Sequence, residues 1–247
     1  MVDVYGGYDP RDIPAYSIFE AARYLLIPVG TLRSWLLGRK YQVRGIQKYS
    51  KPLIELPNSE IKQLSFTNLV EAHVLRIIRL DHQITLQKVR TALDYLEQEA
   101  KMPHPLVRAE FQTDGVDLFL DTMFLPDESE QGPNSDAMLI NASRSGQIAI
   151  RQTLRNYLQR IERDEAGLAA RLFPFTRLER QEDSPRIVVI DPRISFGRPV
   201  LVGTGIPTLI LAERYKAGDS IEELARDYNC DHLLIQEAIR CELQLSA

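Results

Sequence analysis

The sequence predicts a mainly helical protein with short β elements, arranged in three parts. Apolar residues recur every three or four positions in much of the chain, as they do on the buried face of a helix. The β-branched runs are short and are bounded by glycine or proline. We therefore expect a helix-turn-helix with a β wing at residues 1–100, an α+β connector at 101–186, and three helices with a short β-hairpin at 187–247.

The composition indicates a folded soluble protein. Of the 247 residues, 44% are hydrophobic and 26% are charged, values typical of globular chains. No apolar run approaches the roughly 20 residues that span a bilayer, and the N-terminus has no signal-peptide pattern. We therefore expect a cytoplasmic protein without membrane contact. Cys230 and Cys241 fit neither a zinc pattern nor a disulfide framework, and buried, reduced thiols are expected.

The N-terminal part predicts two short helices separated by a tight turn. Ser17 and Glu20 have the spacing of a capping box, which begins a helix that extends to about Leu25. Pro28 fits the first turn of a second helix, because its missing N–H would be unpaired there, and Gly38 ends that helix. A basic wing follows at residues 40–56, with a turn at Gly45 and extended-chain candidates at Ile46, Tyr49, Leu53 and Ile54.

Two amphipathic helices complete the first part. The first carries an apolar stripe at Phe66, Leu69, Val70, Val74, Ile77 and Ile78, and the second carries one at Leu86, Val89, Leu93 and Leu96. Each stripe predicts a helix with one buried face.

Positive charge is concentrated near the N-terminus of a chain whose net charge is −4. The net charge is +2 for residues 1–100, −3 for 101–186 and −3 for 187–247. Residues 21–54 hold no acidic residue and carry Arg23, Arg33, Arg39, Lys40, Arg44, Lys48 and Lys51. Because this run coincides with the predicted helix-turn-helix and wing, it indicates a surface that binds the phosphates of nucleic acid. The alternative is a solvated basic face on a domain that does not bind DNA.

The segments Ala21-Ala22, Pro28 to Trp35 and Leu64 to Val70 resemble the MerR-like winged helix-turn-helix family, in particular its excisionase-like branch. The resemblance implies that the helix carrying Thr-Leu-Arg lies in the major groove and that the wing crosses the backbone. The DNA-binding residues that it implies are Thr31, Arg33, Ser34, Arg39, Lys40, Arg44, Lys48 and Lys51. Trp35 is expected to pack against the wing. Pro28 departs from the Ser or Thr helix cap of relatives, which removes one possible phosphate contact.

The middle part carries weaker patterns. Residues 111–124 alternate loosely, 127–136 form a polar loop, and 138–142 with 147–150 fit a hairpin around Ser145-Gly146. A helix is expected from about Thr153 to Leu172, followed by a linker at 174–185. A metal-dependent hydrolase using Asp114, Asp117 and Asp121 is an alternative that the absence of a catalytic motif disfavours.

The last part predicts two short strands, Ile187–Ile190 and Pro199–Val202, and then three helices. The helices are expected at Thr208–Lys216, at Ser220–Tyr228 with a second capping box, and from Asp231 to about Leu245. The run from Ile190 to Val200, followed by Gly203-Thr204-Gly205-Ile206-Pro207-Thr208 and Ala217 to Leu224, resembles the domain-of-unknown-function family four-three-three. With the middle segments at 104–106, 113–115 and 139–143, the whole chain resembles VapB-type antitoxins of the forty-five subgroup.

This resemblance implies a non-enzymatic antitoxin of a type II toxin–antitoxin pair. It would neutralise a PIN-like ribonuclease toxin, bind operator DNA as an autorepressor, form a homodimer and need no cofactor or metal. The acidic residues of the last helix, Asp231, Glu237 and Glu242, favour a role in binding another protein or in forming the dimer. The alternative is a MerR-like transcriptional regulator whose middle part binds a small effector and which has no toxin partner.

Overall fold

The computed structural model describes residues 5–43, 45–76, 86–98, 101, 104–108, 154–176 and 185–244. The chain divides into two compact units. Unit 1 comprises Met1–Leu69, Arg160–Glu162 and Ala170–Ala247, and unit 2 comprises Val70–Gln159 and Arg163–Ala169. The N-terminal helix-turn-helix and the C-terminal helices thus belong to the same unit. The domain boundaries expected after residues 100 and 186 stay predictions.

The described elements confirm a mainly helical fold with small antiparallel hairpins. In chain order they are α1 Ile18–Leu25, α2 Val29–Leu37, β1 Arg39–Val43, β2 Ile46–Ser50, α3 Phe66–Arg76, α4 Leu86–Gln98, β3 Ile161–Arg163, β4 Ala169–Leu172, β5 Val188–Val189, β6 Val200–Leu201, α5 Thr208–Lys216, α6 Ile221–Asp227 and α7 His232–Gln244. Each sheet has two strands, which pair β1 with β2, β3 with β4 and β5 with β6.

The C-terminal helices of unit 1 enclose a small apolar core. α7 packs against α5 and α6, and β6 joins the same cluster. The core is formed by Leu201, Leu211, Leu224, Ile235, Ala238 and Ile239. Ser220 caps α6 through its side chain, with Glu223 bonding back to the Ser220 N–H, as the sequence predicts. All three predicted C-terminal helices are therefore confirmed within one or two residues at each end.

The long helix expected from Thr153 to Leu172 is wrong. Helix covers only residues 154–158, and β3 and β4 follow as a hairpin. A turn at Asp164 replaces the helix, because the Asp164 carboxylate accepts from the N–H groups of Ala166 and Leu168 at 3.1 and 3.0 Å. Gly167 adopts a φ of +76°, which L side chains rarely tolerate. This side-chain competition for backbone N–H groups outweighs the local helical pattern.

The segment predicted as a linker begins inside the fold. Pro174, Phe175 and Thr176 are buried, and the Arg160 guanidinium donates to the carbonyls of Phe173 and Pro174 at 2.7 and 3.0 Å. Residues 177–184 lie outside the described part of the chain. The linker prediction is therefore wrong for residues 174–176, because these residues are buried and the Arg160 guanidinium satisfies the Pro174 carbonyl.

Unit 2 contains α4, whose predicted stripe is buried at Val89, Leu93 and Leu96. A polar cluster lies in the same unit: the imidazole of His104 is 3.0 Å from the Glu71 carboxylate, and Arg76 donates to the Tyr157 hydroxyl at 2.7 Å. The predicted elements between residues 111 and 150, and the carboxylates Asp114, Asp117 and Asp121, lie outside the described residues, as do Ile77 and Ile78.

Among the described residues, no helix combines the length and the apolar composition that spanning a membrane requires. Within the same residues, no group of three or more His, Cys, Asp or Glu side chains is placed to hold a metal ion. The two cysteines are free; Cys241 is buried, and burial raises the pKa of its thiol to about 12. Cys230 is only half-buried, so the expectation that both thiols are buried is wrong for it.

Candidate nucleic-acid interface

The first helix of the helix-turn-helix is fixed at both ends by its own sequence. The Ser17 hydroxyl accepts from the Glu20 N–H at 3.2 Å, and the Glu20 carboxylate accepts from the Ser17 N–H at 2.9 Å. Leu26 then ends α1 in the left-handed conformation, and the Ile27 N–H donates to the Ala22 carbonyl at 2.9 Å. The turn from α1 to α2 is therefore three residues long, as the sequence predicts.

The second helix separates its residues into a buried and a solvent-facing side. Leu32, Trp35 and Leu36 are buried, with Trp35 only 1% exposed. Outside this buried side, Arg33 is exposed, and Thr31 and Ser34 are half-buried. This placement leaves the three helix residues that the resemblance implies for DNA contact on the solvent side.

Two features of α2 affect its use as a recognition helix. Pro28 occupies the N-cap and provides no side-chain hydrogen bond, as the sequence predicts. The Ser34 hydroxyl donates to the Thr31 carbonyl at 2.8 Å. Ser34 therefore has an internal partner, and the Arg33 guanidinium is the cationic group on this side of the helix.

The wing is a hairpin of two five-residue strands that follows the end of α2. Arg39 pairs with Ser50, Lys40 with Tyr49 and Tyr41 with Lys48. Since side chains alternate along a strand, Arg39 and Lys48 lie on one face and Lys40 on the other. Leu53 and Ile54 lie beyond the hairpin, so the expectation that they belong to its strands is wrong.

Contacts from the wing hold it against α2. The Tyr49 hydroxyl donates to the Leu37 carbonyl at 3.0 Å, and the Trp35 carbonyl accepts from the N–H groups of Leu53 and Ile54 at 2.7 and 3.2 Å. Gly38 turns with a φ of +70°, and a Cβ there would meet the backbone of Ser50. The wing therefore keeps a defined position relative to α2, and Trp35 has the structural role that the sequence predicts.

The basic side chains of this surface are exposed. Arg33, Arg39, Lys40, Lys48 and Lys51 all face solvent. Among the described residues, the first four form no ion pair with a carboxylate. The Arg39 guanidinium lies 6.0 Å from the centre of the Tyr41 ring. Arg44 lies outside the described residues. The surface therefore presents uncompensated cations from both α2 and the wing, on side chains of the kind that contact phosphates.

Arg23 does not belong to this surface, although it lies in the same basic run. Its side chain is 17% exposed, and its guanidinium is 3.1 Å from the Glu242 carboxylate of α7. The Glu242 carboxylate also accepts from the Thr208 hydroxyl at 2.6 Å. One charge of the basic run is thus used inside unit 1, where it joins α1 to the C-terminal helices.

The acidic face expected on α7 is also wrong. Glu237 and Glu242 are 4% and 2% exposed. Glu237 accepts from the Thr176 hydroxyl at 2.6 Å and pairs with Arg240 at 3.2 Å. Both carboxylates point inward because hydroxyl and guanidinium groups solvate them there, and only Asp231 of the three is exposed.

Two tyrosines make further contacts between the N-terminal and C-terminal segments of unit 1. The Tyr16 hydroxyl donates to the Gly197 carbonyl at 3.0 Å, and the Tyr5 hydroxyl donates to the Pro192 carbonyl at 2.9 Å. Burial raises the pKa of Tyr16, so its hydroxyl stays protonated as a donor. Sequence reasoning missed these contacts, because nothing in the local pattern of a tyrosine shows which distant carbonyl it reaches.

Two family models match the chain. Residues 188–240 match the family described as "Protein of unknown function (DUF433)". Residues 14–93 match the family described as "Putative DNA-binding HTH domain". The second match covers α1, α2, the wing, α3 and most of α4, so the surface described above lies within the segment that is similar to this family.

The chain is also similar along most of its length to proteins of Mycobacterium tuberculosis. One is named "Putative antitoxin VapB45" and is 29% identical over 236 residues, which are 92% of this chain and 93% of that protein. Another is named "Uncharacterized protein Rv2308" and is 25% identical over 232 residues, 92% of this chain and 90% of that one. The crystal structure of Rv2018 has a TM-score of 0.63 and 26% identity, covering 92% of this chain and 98% of that one.

Proposed function

We propose that this chain is the antitoxin of a type II toxin–antitoxin pair. The proposal starts from its resemblance to VapB-type antitoxins of the forty-five subgroup, with which the comparisons agree. The chain neutralises a PIN-like ribonuclease toxin, binds operator DNA in the cytoplasm as an autorepressor, and acts as a homodimer without catalysing a reaction.

One observation carries the DNA half of the proposal. Arg33 on α2 and the wing cations Arg39, Lys40 and Lys48 are exposed and have no carboxylate partner among the described residues. In winged helix-turn-helix proteins the second helix enters the major groove, where an arginine reads guanine edges or binds phosphate. Thr31 and Ser34 of the same helix are half-buried, outside its buried side.

The toxin half rests on the relative's name and on the distribution of charge. A protein named as an antitoxin is similar to this chain over 92% of its length. The last segment, residues 187–247, has a net charge of −3, and the exposed carboxylates of the described C-terminal helices include Glu213, Glu222, Glu223 and Asp227. A ribonuclease that binds RNA is expected to be basic at its cleft, so an acidic surface on the antitoxin complements it.

A mobility-shift assay tests the DNA half, with DNA from upstream of the chain's own reading frame as the probe. The variant Arg33→Ala/Lys48→Ala should bind at least about tenfold more weakly, because it loses one groove contact and one wing contact. Lys216→Ala, an exposed lysine on α5, is the matched control and should bind like the wild type. Equal affinity of all three proteins rejects the assignment of this surface.

Co-expression with the product of the adjacent reading frame tests the toxin half. The expected result is a purified complex that contains both chains and lacks ribonuclease activity. We also expect the complex to shift the same upstream DNA, and its mass to correspond to two antitoxin chains together with the bound toxin. An adjacent product that never co-purifies and has no ribonuclease activity would favour a MerR-like regulator with a small effector.

A further inference from the structure

The C-terminal segment of unit 1 contains an unusual exposed turn. Ser195, Phe196 and Gly197 are consecutive left-handed residues, with φ values of +49°, +54° and +76°. This conformation places the Cβ of an L residue too close to its own carbonyl, and a phenylalanine is rarely found in it. The ring of Phe196 is 73% exposed. The fold therefore holds an aromatic side chain in solvent against both its conformational and its hydrophobic preference.

Hydrogen bonds from three sides keep the turn in place. The Gly197 carbonyl accepts from the buried Tyr16 hydroxyl at 3.0 Å, and the Ser195 hydroxyl donates to the Gly205 carbonyl at 3.1 Å. Just before the turn, the Pro192 carbonyl accepts a hydrogen bond from the Tyr5 hydroxyl at 2.9 Å. A Cβ at position 197 would overlap the Tyr16 hydroxyl. Surroundings that fix an unfavourable backbone in this way often mark a functional site.

Two arginines flank the exposed ring. Arg193 and Arg198 are both exposed. Within the described part of the chain, neither guanidinium forms a hydrogen bond or an ion pair, whereas Arg171, Arg214 and Arg240 of the same unit each pair with a carboxylate. Arg193 lies close enough to Asp9 to help Arg11 lower the pKa of that carboxyl. The turn thus carries two guanidinium groups that have neither a hydrogen bond nor an ion pair among the described residues.

The turn that carries these two arginines is hydrogen-bonded to the residue that precedes the N-cap of the first helix of the helix-turn-helix. Tyr16, which holds Gly197, directly precedes Ser17, the N-cap of α1. In helix-turn-helix proteins the first helix crosses the DNA backbone while the second lies in the groove. The turn is therefore attached at the start of the element that approaches the backbone, within the same compact unit.

We propose that Arg193–Arg198, here called the arginine turn, binds the sugar–phosphate backbone of the DNA held by α2 and the wing. This proposal rests on the DNA binding proposed above. Each guanidinium donates two hydrogen bonds to a phosphate, and the Phe196 ring packs on a deoxyribose. Such contacts carry no sequence information; they extend the footprint and fix the orientation of the protein on the duplex.

Salt dependence of DNA binding, measured on the full-length chain, tests the arginine turn. Arg193→Ala/Arg198→Ala should reduce the magnitude of the slope of log K against log salt by about 1.8 per protomer, because each lost phosphate contact removes about 0.9. Its affinity should fall by the same factor for the upstream DNA and for a scrambled duplex. The control is Arg226→Ala, an exposed arginine on α6, which should keep the wild-type slope.

The reference variant Arg33→Ala/Lys48→Ala separates the two proposals. Suppose that the reference variant binds DNA more weakly while Arg193→Ala/Arg198→Ala keeps the wild-type salt slope. That result overturns the proposed role of the arginine turn and leaves the assignment of the DNA-binding surface intact. Wild-type binding by both double variants overturns the DNA proposal itself.

The variant Phe196→Gly separates the contribution of the aromatic ring to DNA binding from the effect of backbone strain on stability. Glycine adopts a positive φ without a Cβ penalty, so the melting temperature should stay the same or rise. The DNA affinity should fall while the salt slope is unchanged, because no charge is lost. Unchanged DNA affinity together with lost binding of the adjacent-frame product would overturn the proposal and make the turn a protein-binding surface.

Discussion

Replacing Arg23 with alanine is expected to lower the free energy of unfolding by about 3–5 kcal/mol, the usual cost of breaking a buried ion pair from one side. The guanidinium of Arg23 is 3.1 Å from the Glu242 carboxylate, whose side chain is 2% exposed. Without Arg23, that carboxylate keeps its hydrogen bond from the Thr208 hydroxyl but loses its counter-charge. Urea unfolding followed by circular dichroism measures the change.

A double-mutant cycle separates this ion pair from the packing of the arginine stem. Glu242→Gln retains an acceptor for Thr208 and removes the charge, so Arg23→Ala/Glu242→Gln should be more stable than Arg23→Ala alone. A coupling energy of at least about 1 kcal/mol is expected, since the two groups are in direct contact. Additive losses would show that the pair does not join α1 to the C-terminal helices.

Replacing Trp35 with alanine should also remove about 3–5 kcal/mol, the range for truncating a buried tryptophan or phenylalanine. Trp35 is 1% exposed on the inner side of α2, and its carbonyl accepts from Leu53 and Ile54 just after the wing. The cavity should therefore loosen the wing as well as the helix packing, and DNA affinity should fall together with stability.

Phe19→Ala is the matched control for Trp35→Ala. Phe19 is 65% exposed on α1, so its loss should change the free energy of unfolding by no more than about 0.5 kcal/mol. The same urea unfolding experiment compares the two variants, with Trp35→Phe as an intermediate case that retains part of the buried volume. Equal, small losses for Trp35→Ala and Phe19→Ala would contradict the packing role of Trp35.

The elements of unit 1 that local chemistry determines could be predicted from the sequence. Ser17 and Ser220 begin helices through capping boxes, and Gly38 ends α2, because these signals act within four residues. For α2, the resemblance to winged helix-turn-helix proteins implied a structural Trp35 and a DNA-contacting Arg33, and the structure has the first buried and the second exposed. The basic wing was predicted from charge and from the turn at Gly45.

Contacts between residues that are distant in the chain could not be predicted from the sequence. Glu237 and Glu242 were predicted to form an exposed acidic face on α7, but they accept hydrogen bonds from the hydroxyls of Thr176 and Thr208 inside unit 1. Those threonines are separated from their partners by 61 and 34 positions, beyond the reach of any periodicity argument. The arginine turn was noticed only as part of a family pattern, since a left-handed phenylalanine leaves no mark in the sequence.

The salt dependence of operator binding by the wild-type chain tests the central claim most directly. If each protomer of a dimer makes about three or four phosphate contacts through α2 and the wing, these contacts should contribute roughly −5 to −7 to the slope of log K against log salt, and the arginine turn should make the slope steeper by about 3.6. Binding at a fixed temperature over a range of salt concentrations gives that slope. A slope near zero, or no binding to the upstream DNA at low salt, would contradict the claim that these cations hold DNA.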